Sequence, residues 1–268
     1  KELLALTAHK GKIPPHLKPL TEALALQCFL NEYVYTTSQE EQQMVAKLIN
    51  IAADDQEATD EYLAIIGCYK PLYTTGIKAE LINNYQAADC KSNELITTQF
   101  KEPLQEKEIK SSFQESLNIT DLTSQMVQEM YEENPYPRFR YSDYTTKELA
   151  KPIANTIKIE MTKQNLVFSE SLSSENARPQ VLIAGCGTGN QLINSSRYRN
   201  AEITAIDLSS SSLAYAIRKT REYEMSNIFF KKMDLLDVSE LEKMFDLIAC
   251  SGVLHHMEKP AEGLSKLV

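Results

Sequence analysis

The chain has 268 residues, 43% hydrophobic and 24% charged, an ordinary globular composition with length for one large domain or two modest ones. A net charge of -9 argues against a general polyanion binder, because phosphate contact needs a basic face and no stretch is strongly basic; nucleic acid is left as a minor partner class. No run approaches the roughly 20 apolar residues of a membrane span, and five cysteines (Cys28, Cys68, Cys90, Cys186, Cys250) without a CxxC pair suit free thiols, so a soluble protein of the reducing cytoplasm is expected.

The first residue is Lys1, not Met, and the chain stops at Val268 inside a helical pattern, so both ends are expected to continue. From Leu20 to about Tyr73 apolar residues recur at three- and four-residue steps: Leu26, Leu30 and Tyr33, then Met44, Leu48 and Ile51, then Leu63 and Ile66. That spacing predicts helices. Ser38-Gln39-Glu40-Glu41 reads as a capping box that opens a helix running to about Ala53. The stretch from Gln86 to Ser116 is polar, with no sustained apolar stripe, and is predicted to be a surface linker with short helices. A helix carrying Met126, Val127 and Met130 then follows Asp121 and must stop at Asn134-Pro135-Tyr136-Pro137. The predicted organisation is a helical domain and linker over 1–120 and a second domain over 121–268.

After Gln180 short apolar strands alternate with amphipathic helices, the pattern of a parallel sheet covered on both faces. Strands are predicted at 181–184, 202–207, 227–231 and 245–251, with a helix over about 211–222 that turns Leu213, Ala216 and Ile217 to the sheet. Gly185-Cys186-Gly187-Thr188-Gly189 follows the first strand directly, at the carboxyl edge where such sheets bind ligands. Asp207 closes the second strand about 20 residues on, the position from which a carboxylate takes two ribose hydroxyls. A tight turn with an ordinary capping aspartate is the plain alternative, and the spacing alone serves dinucleotide dehydrogenases equally well.

The segment VLIAGCGTGNQ resembles the first motif of class I methyltransferases that use S-adenosylmethionine (SAM), and AIDLSSSSLAYA resembles the stretch after their ribose-binding acid. KKMDLLDV and FDLIACSGVLHHM are similar to that family's third and fourth strand regions, in the right order over about 178–260. The resemblance implies a Rossmann-like α/β sheet of seven strands, of which four can be placed, the remaining three being expected beyond Val268. It implies SAM as cofactor, with Gly185, Gly187 and Gly189 along it, Asp207 at the ribose and Asp234 at the adenine, and with Cys186, Thr188, Leu208, Leu235 and Ser251 also among the cofactor-binding residues. For Asp234 a solvated acid at a strand end is the alternative.

Methyl transfer from a sulfonium needs the acceptor held in line, water kept out and sometimes a base. His255 and His256, after the fourth strand, are candidate catalytic bases by position, with a pocket wall as the alternative. Cys186, Cys250 and His255 match no usual zinc set, so no metal is expected. YEENPYPR resembles a signature upstream of the methyltransferase domain in bacterial proteins with tetratricopeptide repeats, where ALALQCFLNEYVY also has a counterpart. Tyr131, Tyr136 and Arg138 are expected to cover the SAM or acceptor pocket; a domain-joining turn is the alternative. The acceptor is unidentified, a protein or other large molecule by analogy of architecture. A non-catalytic interaction protein with a degenerate scaffold and a nucleotide-dependent oxidoreductase stay open as other readings.

Overall fold

A computed structural model describes residues 1–88, 94–113, 119, 121–162 and 167–268. Packing divides the chain into two units, Lys1–Gln105 and Glu106–Val268. The break falls upstream of the expected junction at 120/121 because Glu106 and Lys110 make their bonds with residues of the second unit. Residues 89–93, Cys90 among them, and 114–116 of the predicted linker lie outside the described residues.

The first unit is helical. It contains α1 (Glu2–Lys10), α2 (Lys18–Leu30), α3 (Gln39–Ala52), α4 (Gln56–Gly67), the short α5 (Ala79–Asn83) and α6 (Glu94–Ile96). At the start of α3 the expected capping box is formed, Ser38 N donating to Glu41 Oε2 at 2.9 Å and Glu41 N to Ser38 Oγ at 3.2 Å. Its core gathers one face of each long helix, including Ala25, Leu26, Val45, Leu48, Leu63 and Ile66. Ile51, read as part of the apolar stripe, is instead exposed.

The predicted surface linker needs correction. Residues 94–111 are helical, with a π-helical turn at Thr97–Lys101 leading into α7 (Glu102–Ser111). Leu95, Ile96, Phe100 and the polar Gln99 are buried. A π turn inserts a residue into the repeat, so a search at 3.6 residues per turn loses the apolar face. Gln99 can be buried because its side-chain amide donates to Ala25 O at 2.6 Å and Gly67 O at 3.0 Å.

In the second unit β1 (Gln180–Ala184), β2 (Glu202–Asp207), β3 (Ile228–Lys232) and β4 (Leu247–Cys250) form one parallel sheet in the order β3-β2-β1-β4. The strands match the sequence reading within a residue, except that β4 is shorter. Val181 and Ile183 of β1 enter one apolar cluster while Leu182 and Ala184 enter another. The strand is therefore buried on both faces, which is why it reads as an unbroken apolar run. Around the sheet stand α8 (Leu122–Glu133), α9 (Ile153–Glu160), α10 (Glu170–Ser173), α11 (Asn190–Asn194), α12 (Ser210–Glu222) and α13 (Pro260–Leu267). The strand order reverses at β1, with β2 on one side and β4 on the other, so a crevice opens at the carboxyl end of β1. Among the described residues no helix is long and apolar enough to cross a membrane.

Candidate functional site

The loop after β1 is held from beneath by β2. Gly185 N and Cys186 N both donate to Ile206 O, at 2.9 and 3.0 Å. The glycines then play separate parts. An ideal Cβ on Gly189 would stand 2.9 Å from Ala216 Cβ and 3.0 Å from Ala216 Cα, so this glycine lets the loop pack against α12. At Gly187, where φ is +52°, a Cβ would meet nothing within 4 Å, and the bare backbone faces open space.

That space is a cavity of about 620 Å³, within the range of small-molecule and cofactor sites. It is lined by Gly185, Cys186, Gly187 and Thr188 of the loop, by Asp207, Leu208 and Ser209 after β2, by Met233, Asp234 and Leu235 after β3, and by Ser251, Gly252, Val253 and His256 after β4. Four strand ends thus supply one floor. Asp207 Oδ2 accepts from Gly187 N at 2.7 Å and Oδ1 from Ser209 N at 2.9 Å. Burial pushes its carboxyl above the ordinary range and nearby Glu132 adds to this, while those two backbone hydrogen bonds oppose it. A carboxylate has roughly four acceptor positions, so Asp207 keeps capacity for hydroxyl donors. Asp234 is buried and its Oδ1 accepts from Leu236 N at 2.9 Å. The alternative of a solvated acid is therefore wrong; Asp234 caps the following helical turn from the cavity wall. Burial, and Asp207 beside it, push the Cys186 thiol well above its ordinary value, which makes it a poor nucleophile or metal ligand.

A segment from upstream closes the opposite side. Asp121 caps α8, its Oδ1 accepting from Ser124 N at 2.7 Å. The helix carries Thr123, Ser124, Val127 and Tyr131 into the cavity wall and leaves Met126 and Met130 exposed. Tyr136 and Pro137 continue the wall, and Thr188 Oγ1 donates to Pro137 O at 2.7 Å, tying it to the glycine loop. Arg138 does not line the cavity. Its Nη1 lies 3.5 Å from Glu106 Oε2 and its guanidinium stacks over Tyr215 at 5.6 Å from the ring centroid.

The two histidines also separate. His256 lines the cavity, with Nε2 at 3.5 Å from Tyr131 Oη; His255 is exposed and stacks on His256 at 4.0 Å between centroids. The sequence reading missed Asn190, Asn194 and Arg197, which also border the cavity. They follow the loop at helical spacing, i, i+4 and i+7, and that spacing was the available signal.

Residues 181–267, which build this cavity's floor, match the model of a methyltransferase domain. The second unit has a Rossmann-like α/β fold. Two curated relatives are similar over part of their length. One is an uncharacterized protein of Synechococcus, 40% identical over 102 residues that cover 37% of this chain and 24% of that one. The other is an uncharacterized protein of Rickettsia prowazekii, 28% identical over 127 residues, 47% of this chain and 22% of that one. The chain thus spans about a quarter of the length of these relatives. Among solved structures, the magnesium protoporphyrin IX methyltransferase of Synechocystis with bound SAM is 23% identical, covering 57% of this chain and 73% of that one, with a TM-score of 0.37. PKMT2 from Rickettsia typhi in complex with AdoHcy is 26% identical over 48% of this chain and 24% of that one, with a TM-score of 0.33.

Proposed function

We propose that the second unit binds SAM in the cavity beside the glycine loop and serves as the donor half of a methyltransferase. The observation that carries this reading is the convergence of the bare Gly187 backbone, the Asp207 carboxylate and the buried Asp234 on one cavity at three adjacent strand ends. When bound, SAM supplies a sulfonium whose methyl group is ready for transfer, so the protein's work is positioning and exclusion of water.

In this reading Asp207 accepts from the ribose hydroxyls while its bonds to Gly187 N and Ser209 N keep the carboxylate fixed. Asp234 and Leu235 border the adenine, and Cys186, Thr188, Leu208 and Ser251 complete the surface around the cofactor. Tyr131, Tyr136 and Pro137 shut out water from the other side. His256, the histidine on the cavity, is the group to take a proton from the acceptor, and His255 has no part in the chemistry. The acceptor is a protein or other large molecule, which the helical first unit presents or selects; this rests on the resemblance to repeat-bearing proteins. The expected location is the cytoplasm.

Calorimetric titration of SAM into the wild-type chain and an Asp207→Ala variant tests the reading. Binding that the substitution weakens by about 1–3 kcal/mol, the cost of a lost polar partner, supports it. A folded wild-type chain that takes up no SAM refutes it.

A further inference from the structure

Helix α7 is polar and contributes no residue to the cavity lining, yet its charges meet residues next to the cavity wall at two points. Glu106 and Lys110 stand four residues apart and so share a face of the helix. The Glu106 carboxylate lies between two guanidiniums: Oε1 accepts from Arg218 Nε at 2.7 Å, and Oε2 is 3.5 Å from Arg138 Nη1. All three side chains are at most 11% exposed. One turn further on, Lys110 Nζ is 2.9 Å from Glu132 Oε1 and donates to Ser211 Oγ at 2.8 Å.

Glu132 and Arg138 bracket the stretch that brings Tyr136 and Pro137 to the cavity, and Tyr131 of the wall directly precedes Glu132. We propose that Glu106 and Lys110 are positioning residues for the cofactor site: α7 braces both ends of the wall segment and sets how closely it stands over the glycine loop. The proposal rests on the SAM reading given above.

The two attachments are linked to the site by short paths. At one end Glu132 Oε2 also accepts from Ser209 Oγ at 3.0 Å and Ser211 N at 3.2 Å, and Ser209 Oγ reaches Tyr131 O at 3.0 Å. Burial raises the Glu132 carboxyl, but the bonds from Lys110, Ser211 and Ser209 outweigh it and hold the group below its ordinary range. Glu132 is therefore an anion seated on the first turn of α12, where the helix dipole favours one. At the other end Arg138 and Arg218 both stack on the Tyr215 ring, at 5.6 and 4.7 Å from its centroid. Tyr215 Oη accepts from Phe139 N at 2.9 Å and donates to Phe139 O at 2.8 Å. Removing the Glu106 charge takes away the carboxylate that holds the two guanidiniums together; Arg218 keeps Glu222 Oε2 at 3.5 Å from Nη1, while Arg138 loses its tie to α7, which lets it and the adjoining Pro137 shift relative to Thr188.

The test is SAM titration calorimetry on the full chain with Glu106→Gln, in the wild-type background and in Tyr136→Ala. Glu106→Gln is expected to weaken SAM roughly tenfold to a hundredfold, the scale of a small misplacement of a binding group. In the Tyr136→Ala background the same substitution should cost much less, because the brace acts through that wall. A purely structural role would give equal losses in both backgrounds, and that result overturns the proposal. Should Glu106→Gln fail to fold, Lys110→Met, at a half-exposed position, is run through the same cycle with Tyr131→Ala. Wild-type binding with variants inside twofold overturns the brace alone. A wild-type chain that binds no SAM overturns the methyl-donor reading and the brace's cofactor role with it.

Discussion

Gly187 and Gly189 stand two residues apart in one loop, both at positive φ, and the structure assigns them opposite vulnerabilities. Gly189→Ala meets two costs. Its φ of +94° strains an L side chain by about 1–2 kcal/mol, and its Cβ would press on Ala216 Cβ and Cα at 2.9 and 3.0 Å. One of those atoms is backbone of α12 and cannot swing aside, so the overpacking term is about 1–3 kcal/mol. The sum, about 2–5 kcal/mol, lowers the midpoint by about 4–20 °C for a unit of this size. Gly187→Ala pays only the strain, about 1–2 kcal/mol, since its Cβ meets nothing within 4 Å. That methyl group projects into the cavity, so this variant should lose SAM affinity out of proportion to its stability. Thermal unfolding by circular dichroism, paired with SAM calorimetry, separates the two. Equal destabilisation of both variants, or Gly187→Ala with wild-type SAM affinity, would refute the division of labour.

Other expectations follow from single groups. The native state holds the Asp207 proton to higher pH than the unfolded chain does, so the Asp207 contribution to the unfolding free energy should fall as pH rises from 3.8 to the raised native value; denaturant titrations across that range should show this decline as the difference between wild type and Asp207→Asn. On the proposed reading, in which the ionised Asp207 accepts from the ribose hydroxyls, SAM affinity should drop on acidification at a pH above the ordinary carboxylate range, and a flat affinity profile would count against Asp207. In the first unit Ser38→Ala removes the acceptor of Glu41 N and should cost about 1 kcal/mol in urea unfolding. Once an acceptor is found, His256→Gln should lower turnover by about 10²–10⁴-fold with SAM binding retained, whereas His255→Gln should leave turnover near wild type; a reversed order would remove His256 from the mechanism.

Much of the cavity floor was legible in the sequence. The loop after β1 and the acid ending β2 are local features: glycine is demanded where backbone must approach a ligand or neighbouring helix, and strand ends lie where apolar runs stop. The same holds for the Ser38 box, whose partners are three residues apart. Asp234 was legible by resemblance, but its burial was not, since that depends on how residues 235–241 turn back over the sheet. Arg138 was singled out for the wrong contact. An arginine beside tyrosines and prolines looks like a ligand clamp in one dimension, and nothing nearby in sequence announces that a glutamate 32 positions upstream neutralises it.

The sequence by itself determined the fold class of the second unit, the places of its four strands along the chain, and the glycine loop and the acid that meet at the cavity, because each is encoded by spacing within about 20 residues. Tertiary structure alone decided which of two adjacent histidines faces the cavity, that a polar "linker" buries Leu95, Ile96 and Phe100 through a π turn, and that Glu106 meets Arg218 across 112 positions. Each of these turns on a direction or a partner set by packing between distant elements, and a periodicity of 3.6 or 2 carries no information about either.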